Sequence, residues 1–499
     1  MSLSGRRSPS SRRRSRGRVT SWSRPAPVVV MSGMSVERQT CSRGLDDRIA
    51  GMKALMTLLA VVGLLAGGAG SATAGEGLHW RECYDGLRCS EVLVPADWTR
   101  PSGDTRIAVP LLKIPAREQK TGVLLLNPGG PGASIPNFAF PGYRDQFADL
   151  AARFDVVVFD PRGMGVACPA PNPAPLPSPV SESAHREYAA ANGRFAADCA
   201  AAMGEYRGRL NARQVAHDMD AVRRALGERR LNYFGNSYGT VYGQLYADLF
   251  GHRVGRMYLD SVLDHTRSDP AEWARAGAVV AEGNLHRMAR WCAADTGCAL
   301  HGEDLIAVWD RVLSTPGVEV SAVLRWAVAR IGNDKGWPAL ATGLAQLAAG
   351  DTTAITPRPG PSDVGLARTA FCADFPLPDD FPAVKRVEDR LRTAAPRLGW
   401  AAVPWRVSGH CSGVPGEGLN PPTTLPPMPN VLVANGEHDP LTPAEHGRRV
   451  AAQLRGAYLP VEGNHGLYLN GNACVRDHVH RYLLAGELPA PDARCGSPV

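Results

Sequence analysis

A serine held between two glycines, Gly235-Asn236-Ser237-Tyr238-Gly239, is the group in this sequence best suited to nucleophilic chemistry. It follows the β-type run Leu231 to Phe234 and precedes a helix-compatible segment, Val241 to Leu249. That strand-turn-helix setting is a nucleophile elbow: only small flanking residues let the chain turn so sharply, and the turn lifts the hydroxyl above the sheet. The N–H of Tyr238 then points where an oxyanion would form. The pentapeptide alone carries little weight, because a chain with 53 glycines produces G-x-S-x-G by chance. Its meaning depends on whether a histidine base, an orienting carboxylate and further oxyanion donors follow in a workable order.

They do. The apolar run Val431 to Ala434 leads into Asn435-Gly436-Glu437-His438-Asp439-Pro440-Leu441-Thr442-Pro443, and Ala457 to Val461 leads into Glu462-Gly463-Asn464-His465-Gly466. Serine, then Asp439, then His465, each just past a strand, is the chain order of a serine nucleophile working on a parallel α/β sheet. Asp439 is preferred to Glu437 because it opens the Pro-Leu-Thr-Pro turn; Asp260 and Asp264, one strand earlier, are the alternative acids. Of the 13 histidines most are expected on the surface or satisfied in the core, and His438 and His446 fall too early in this order to be the base. The loop Pro128-Gly129-Gly130-Pro131-Gly132 is not a phosphate cradle, since no Lys-Ser/Thr follows and its prolines lack N–H groups. Its place after a buried strand makes the Gly130 N–H the candidate second oxyanion donor. Asp160, in Asp160-Pro161-Arg162-Gly163, is expected to fix its loop by turn hydrogen bonds and an ion pair with Arg162.

The elements that must position these groups alternate. Strands are predicted at Glu91 to Val94, Arg106 to Ile114, Gly122 to Asn127, Phe154 to Asp160, the elbow strand, Val254 to Leu259, Val431 to Ala434 and Ala457 to Val461. Helices are predicted over His185 to Met203 and Ala212 to Leu226. Continuous apolar strands among helices indicate a mainly parallel α/β sheet. Between Thr266 and Thr423 the pattern turns helical and alanine-rich. We therefore expect one α/β core, residues 75–265 and 424–499, interrupted by a helical lid at 266–423. No internal repeat is visible.

At 499 residues and 44% hydrophobic composition the chain can bury a large core. The formal charge of +7 resides in the leader: residues 1–51 hold eleven arginines against Glu37, Asp46 and Asp47, Lys53 adds one, and the rest of the chain comes to −2. A basic nucleic-acid-binding surface is thus excluded from the folded part. Residues 52–74 read as a secretory signal, with Lys53, an apolar run from Ala54 to Ala66 and a cleavage site at Ala72-Thr73-Ala74, so the mature chain is expected to start near Gly75. The apolar run is too short and glycine-interrupted for stable membrane insertion. Residues 1–51 are read as an Arg/Ser-rich extension, disordered or from a start codon assigned too far upstream. Of 11 cysteines only Cys41 precedes the cleavage site. The remaining ten show no zinc spacing, which favours disulfides over metal. Sequence does not decide the connectivity; pairing of neighbours, Cys83–Cys89, Cys168–Cys199, Cys292–Cys298, Cys372–Cys411 and Cys474–Cys495, is the simplest hypothesis.

Taken together, Asn127 to Gly132, Phe159 to Gly163, Gly235 to Thr240, Asp439 to Pro443 and Gly463 to Gly466 resemble the secreted tripeptidyl aminopeptidases. These are α/β-hydrolase serine peptidases related to proline iminopeptidase, and the resemblance spans about residues 78 to 495 including a TAP-like C-terminal segment. It implies an α/β-hydrolase fold, Ser237 as nucleophile, Asp439 as orienter, His465 as base, and Tyr238 and Gly130 as oxyanion donors. It also implies no cofactor and a peptide substrate with a free N-terminus from which tripeptides are released. Two positions depart from the family pattern: Asn236 in the elbow, and Ser261 where a glycine is common. Carboxylates in the lid are expected to hold the substrate's α-ammonium, with Glu437, Glu272 and Asp374 as candidates. A carboxylesterase or lipase-like enzyme on the same triad is the alternative, since fold does not choose the leaving group. An inactive binding protein on a hydrolase scaffold is the alternative of another class. Oligomeric state is left open.

Overall fold

Nine strands form a single sheet in the order β1-β2-β3-β5-β4-β6-β7-β8-β9. They are β1 Arg81–Tyr84, β2 Leu87–Pro95, β3 Arg106–Ile114, β4 Gly122–Asn127, β5 Phe154–Phe159, β6 Leu231–Asn236, β7 Val254–Asp260, β8 Val431–Gly436 and β9 Ala457–Val461. The first three join antiparallel, β3 pairs antiparallel with β5, and β5-β4-β6-β7-β8-β9 are parallel. The computed structural model describes residues 78–496 apart from 133, 167, 169–172, 174–179, 357–364, 376–379 and 402–410. The extension at 1–51, the signal segment at 52–74 with its cleavage near Ala74, and most of the Pro-rich stretch at 169–179 lie outside the described residues.

The central strands are covered on both faces, which is why they read as unbroken apolar runs. Leu124, Leu126, Val156, Val158, Phe234 and Leu432 pack on one face with the helix Ala473–Ala485. Val123, Leu125, Val157, Tyr233, Met257 and Val433 pack on the other with the helices Ala212–Ala225 and Gly239–Phe250. Each aliphatic side chain so removed from water contributes roughly 1.5–3 kcal/mol.

Sequence reading missed β1 and the first half of β2. All four residues of β1 are exposed, so no apolar period marks it; the hairpin with β2 and the Cys83–Cys89 disulfide hold it instead.

Between β7 and β8 the chain leaves the sheet and forms helices at Pro270–Ala294, Leu305–Ser314, Val320–Ile331, Trp337–Ala348, Gly365–Asp374 and Phe381–Ala394. Their starts follow local chemistry. Asp269, Asp304 and Asp380 each accept N–H groups of the first turn, a cap stabilising a helix by about 1 kcal/mol. The ten cysteines of the described residues pair with their sequence neighbours in five disulfides, as fits an oxidising compartment. No helix among the described residues is long and apolar enough to cross a membrane.

Candidate active site

Beyond the end of β6 the backbone turns through Ser237 at φ 53°, a left-handed conformation, before the helix Gly239–Phe250 begins. The neighbours must be small: a Cβ on Gly235 would stand 2.7 Å from the Gly239 carbonyl oxygen and from the Tyr233 ring. Ser237 is half-buried, and its N–H donates to the Asp260 carbonyl at 3.0 Å.

The glycine-rich loop after β4 lies against this turn. Gly129, at φ 107°, approaches so closely that a Cβ there would be 2.8 Å from Ser237 Cβ and 2.7 Å from the Asn236 carbonyl oxygen. Asn236 Nδ2 donates to the Pro128 carbonyl at 2.9 Å, giving the departure at Asn236 a role in seating the loop. Gly129 N–H is committed to Asn127 Oδ1 at 3.0 Å. Among the described residues no acceptor takes the N–H of Gly130 or of Tyr238.

Asp160 supports the far end of this loop. Its Oδ1 accepts the N–H of Ser134, over a short contact, and that of Ile135 at 2.8 Å. Burial pushes its carboxyl up to about 6 against the pull of those two bonds. The expected ion pair with Arg162 is not formed. Arg162, wholly buried, instead makes a two-pronged bond to Asp218 at 2.6 and 2.7 Å and donates to the carbonyls of Pro95 and Ala96. The guanidinium needs a carboxylate facing both prongs, and Asp160 Oδ1 is already turned toward the loop amides.

Past β8, Asp439 is fully buried. Its Oδ1 accepts Leu441 N–H at 2.8 Å and Thr442 N–H at 3.1 Å. Its Oδ2 meets the Thr442 hydroxyl in a short contact and His465 Nδ1 at 2.8 Å. An ionised carboxylate only accepts, so Nδ1 carries the proton and Nε2 is left free to take one. Burial disfavours the imidazolium, but the Asp439 charge and hydrogen bond, with a smaller contribution from Asp260, more than offset it and raise His465 above the ordinary 6.5. Thr442, whose hydroxyl also lies 3.1 Å from His465 Nδ1, escaped the sequence reading. The signal was present in Asp439-Pro440-Leu441-Thr442, the spacing at which an aspartate turns back on the following amides.

The structure brings Asp439 and His465 together and packs the glycine-rich loop, through Gly129, against Ser237 and Tyr238. It does not group the three lid candidates. Glu437 is exposed. Glu272 pairs with Arg275 at 2.9 Å and Arg267 at 3.8 Å. Asp374 is completely buried and accepts from Ala212 N–H at 2.8 Å, Tyr238 Oη–H at 2.6 Å and Asn420 Nδ2 at 2.8 Å. It thereby ties the helix Gly365–Asp374 to the elbow residue Tyr238. Asp374→Ala strands three buried donors and should lower stability by about 3 kcal/mol. A urea midpoint measures this; native stability with a raised KM would instead make Asp374 a substrate-binding group. Of the other acids and bases, Asp264 accepts from Thr266 and faces Arg449, and buried His446 contacts the Trp273 carbonyl through Nε2 at 3.1 Å. Cys474, His478 and Cys495 cluster closely enough for a metal, but the two sulfurs are joined to each other.

A family model described as the alpha/beta hydrolase fold matches residues 122–471. The sequence is 28% identical to "Serine protease Hip1" of Mycobacterium tuberculosis over 90% of this chain and 98% of that protein. It is 30% identical to "Tripeptidyl aminopeptidase" of Streptomyces lividans over 86% of this chain and 88% of that one. It is 31% identical to "Carboxylesterase B" of Mycobacterium tuberculosis over 82% and 86% respectively.

Proposed function

Because this chain belongs to the α/β-hydrolase family and is a serine hydrolase of the tripeptidyl aminopeptidase kind, we propose that it cleaves peptides near free N-termini, releasing tripeptides through an acyl-enzyme on Ser237. The observation that carries the reading is the His465 Nδ1 to Asp439 Oδ2 bond of 2.8 Å, which leaves Nε2 as the base of a site where Ser237 stands on an elbow. In the first step Ser237 Oγ bonds to the scissile carbonyl carbon as its proton passes to His465 Nε2. The N–H groups of Tyr238 and Gly130 receive the oxyanion, each such donor stabilising the transition state by roughly 3 kcal/mol. Collapse expels the amine, which takes the proton from His465. Water then repeats the sequence on the ester and frees Ser237.

The helices of residues 266–423 act as a lid on the α/β core of 75–265 and 424–499, and the signal at 52–74 exports the protein with cleavage near Ala74. The five disulfides support that destination. The expected partner is a peptide with a free amine, with no nucleic acid or membrane insertion, and the chemistry of the triad needs no cofactor.

A tripeptidyl anilide, its N-acetylated form and a short acyl ester, compared on the mature protein, test the reading. The free-amine anilide should exceed the acetylated one in kcat/KM by at least about tenfold, equivalent to 1.4 kcal/mol. Equal rates on free and blocked peptides remove the aminopeptidase assignment. Turnover confined to the ester establishes the carboxylesterase reading, which the resemblance to "Carboxylesterase B" favours. Absence of any turnover or covalent labelling leaves an inactive binding protein.

A further inference from the structure

We propose that Asp260 and Ser261, at the end of β7, form a positioning node that holds His465 in register with Ser237; the inference rests on the serine hydrolase reading above. Both residues are wholly buried, and together they contact the chain segments carrying nucleophile, base and acid. The Asp260 carbonyl accepts the N–H of Ser237 itself at 3.0 Å. The next three amides after His465 are all gripped by side chains of the node: Gly466 N–H by Ser261 Oγ at 2.8 Å, Leu467 N–H by Asp260 Oδ1 at 3.1 Å, and Tyr468 N–H by Asp260 Oδ2 at 2.8 Å. Ser261 Oγ–H closes the ring by donating to Asp260 Oδ1 at 2.8 Å. Ser261 N–H donates to the carbonyl of Ala434 at 2.8 Å, in the strand that leads to Asp439.

Two features argue that this is more than the tying of a turn. Ser261 sits at φ 54°, in the left-handed region, a conformation that costs a non-glycine residue about 1–2 kcal/mol. A glycine would relieve that cost but would leave the Gly466 N–H without an acceptor. Asp260 is a second buried carboxylate, and its charge acts on the same imidazole. Four donors, from Tyr258, Ser261, Leu467 and Tyr468, surround its oxygens and favour the ionised form, working against its complete burial, which leaves the carboxyl above the ordinary 3.8. The charged groups that act on His465 are Asp439 from the loop after β8 and Asp260 from β7. The proton on Nδ1 goes to Asp439, so Asp260 works through the backbone of the histidine loop and through its field rather than by direct contact.

Asp260→Asn, Ser261→Ala and Ser261→Gly in the full mature chain test the node, read by the rate of labelling with a fluorophosphonate, by kcat and KM on whichever substrate the wild type turns over, and by thermal melting. Displacing a catalytic group by a fraction of an ångström to 1 Å costs about tenfold to a hundredfold. Asp260→Asn should therefore slow labelling and kcat by that range, leave KM within about twofold, and move the acid limb of kcat/KM to lower pH because a charge that supports the imidazolium is gone. Both Ser261 variants should slow labelling by about tenfold, with Ser261→Gly no better than Ser261→Ala although it relieves the backbone. Variants that melt earlier yet keep wild-type kcat, labelling rate and acid limb overturn the proposal, as does a fully active Ser261→Gly. If Asp260→Asn does not fold, the two Ser261 variants decide. A wild type that does not label at all is a different failure: it removes the hydrolase reading itself, and this inference with it.

Discussion

Ser237→Ala should abolish labelling by a fluorophosphonate and lower kcat by about a millionfold, the loss seen when the nucleophile of a serine triad is deleted. The size of the effect follows from what remains. Without Oγ no acyl-enzyme forms, and the free N–H groups of Gly130 and Tyr238 can stabilise only direct attack by water. The substitution leaves the scaffold intact. Alanine meets the same left-handed backbone that serine already occupies at φ 53°, and the Ser237 contacts that organise the elbow are made by its backbone, to Asp260 and Thr240. The check is a labelling gel and a rate assay on protein shown by circular dichroism to be folded. Retained labelling at wild-type rate would place the nucleophile elsewhere and end the assignment of Ser237.

Asp439→Asn should lower kcat by about ten-thousandfold while keeping the fold, for a reason of tautomers. The carboxylate accepts from His465 Nδ1–H. An asparagine whose one carbonyl oxygen is still claimed by the Leu441 and Thr442 N–H groups turns its NH2 group to the histidine instead, and the imidazole then moves its proton to Nε2, the atom that must receive one from Ser237. The pH profile gives an independent reading. In the wild type burial lowers and Asp439 raises His465, with a net position above 6.5. The base is useful only when neutral, so kcat/KM should fall to half its plateau at a pH above 6.5 and decline further below it. In Asp439→Asn the raising charge is absent and burial remains, so the residual activity should have its acid limb at lower pH. An unshifted limb would show that Asp439 does not govern the titrating group.

What could be read from sequence was whatever a short stretch determines by itself. Buried parallel strands announced themselves because both faces are apolar, as in Leu124 to Leu126 and Val156 to Val158, and the glycine positions of the elbow because a tight turn excludes a Cβ. The order of Ser237, Asp439 and His465 was legible for the same reason: each follows a strand that a local run reveals, and the parallel topology carries all three to one edge. Neighbouring cysteines likewise had the least chain to close between them.

Only the tertiary structure decided which partners meet across long separations. Asp160 was readable as a loop-fixing residue, but not that its oxygen serves Ser134 and Ile135 while Arg162 turns to Asp218, 56 residues away. Asp374 was a lid carboxylate in search of a substrate until its 136-residue link to Tyr238 appeared. The Asp260 and Ser261 node, over 200 residues from the loop it grips, showed in the sequence only as an alternative acid and an unexpected serine. Buried charges and strained backbones are satisfied by geometry that no local period encodes, since a carboxylate is indifferent to the sequence distance of the N–H that reaches it. The chain by itself determined the candidate reactive groups and their order; the fold decided how each is held.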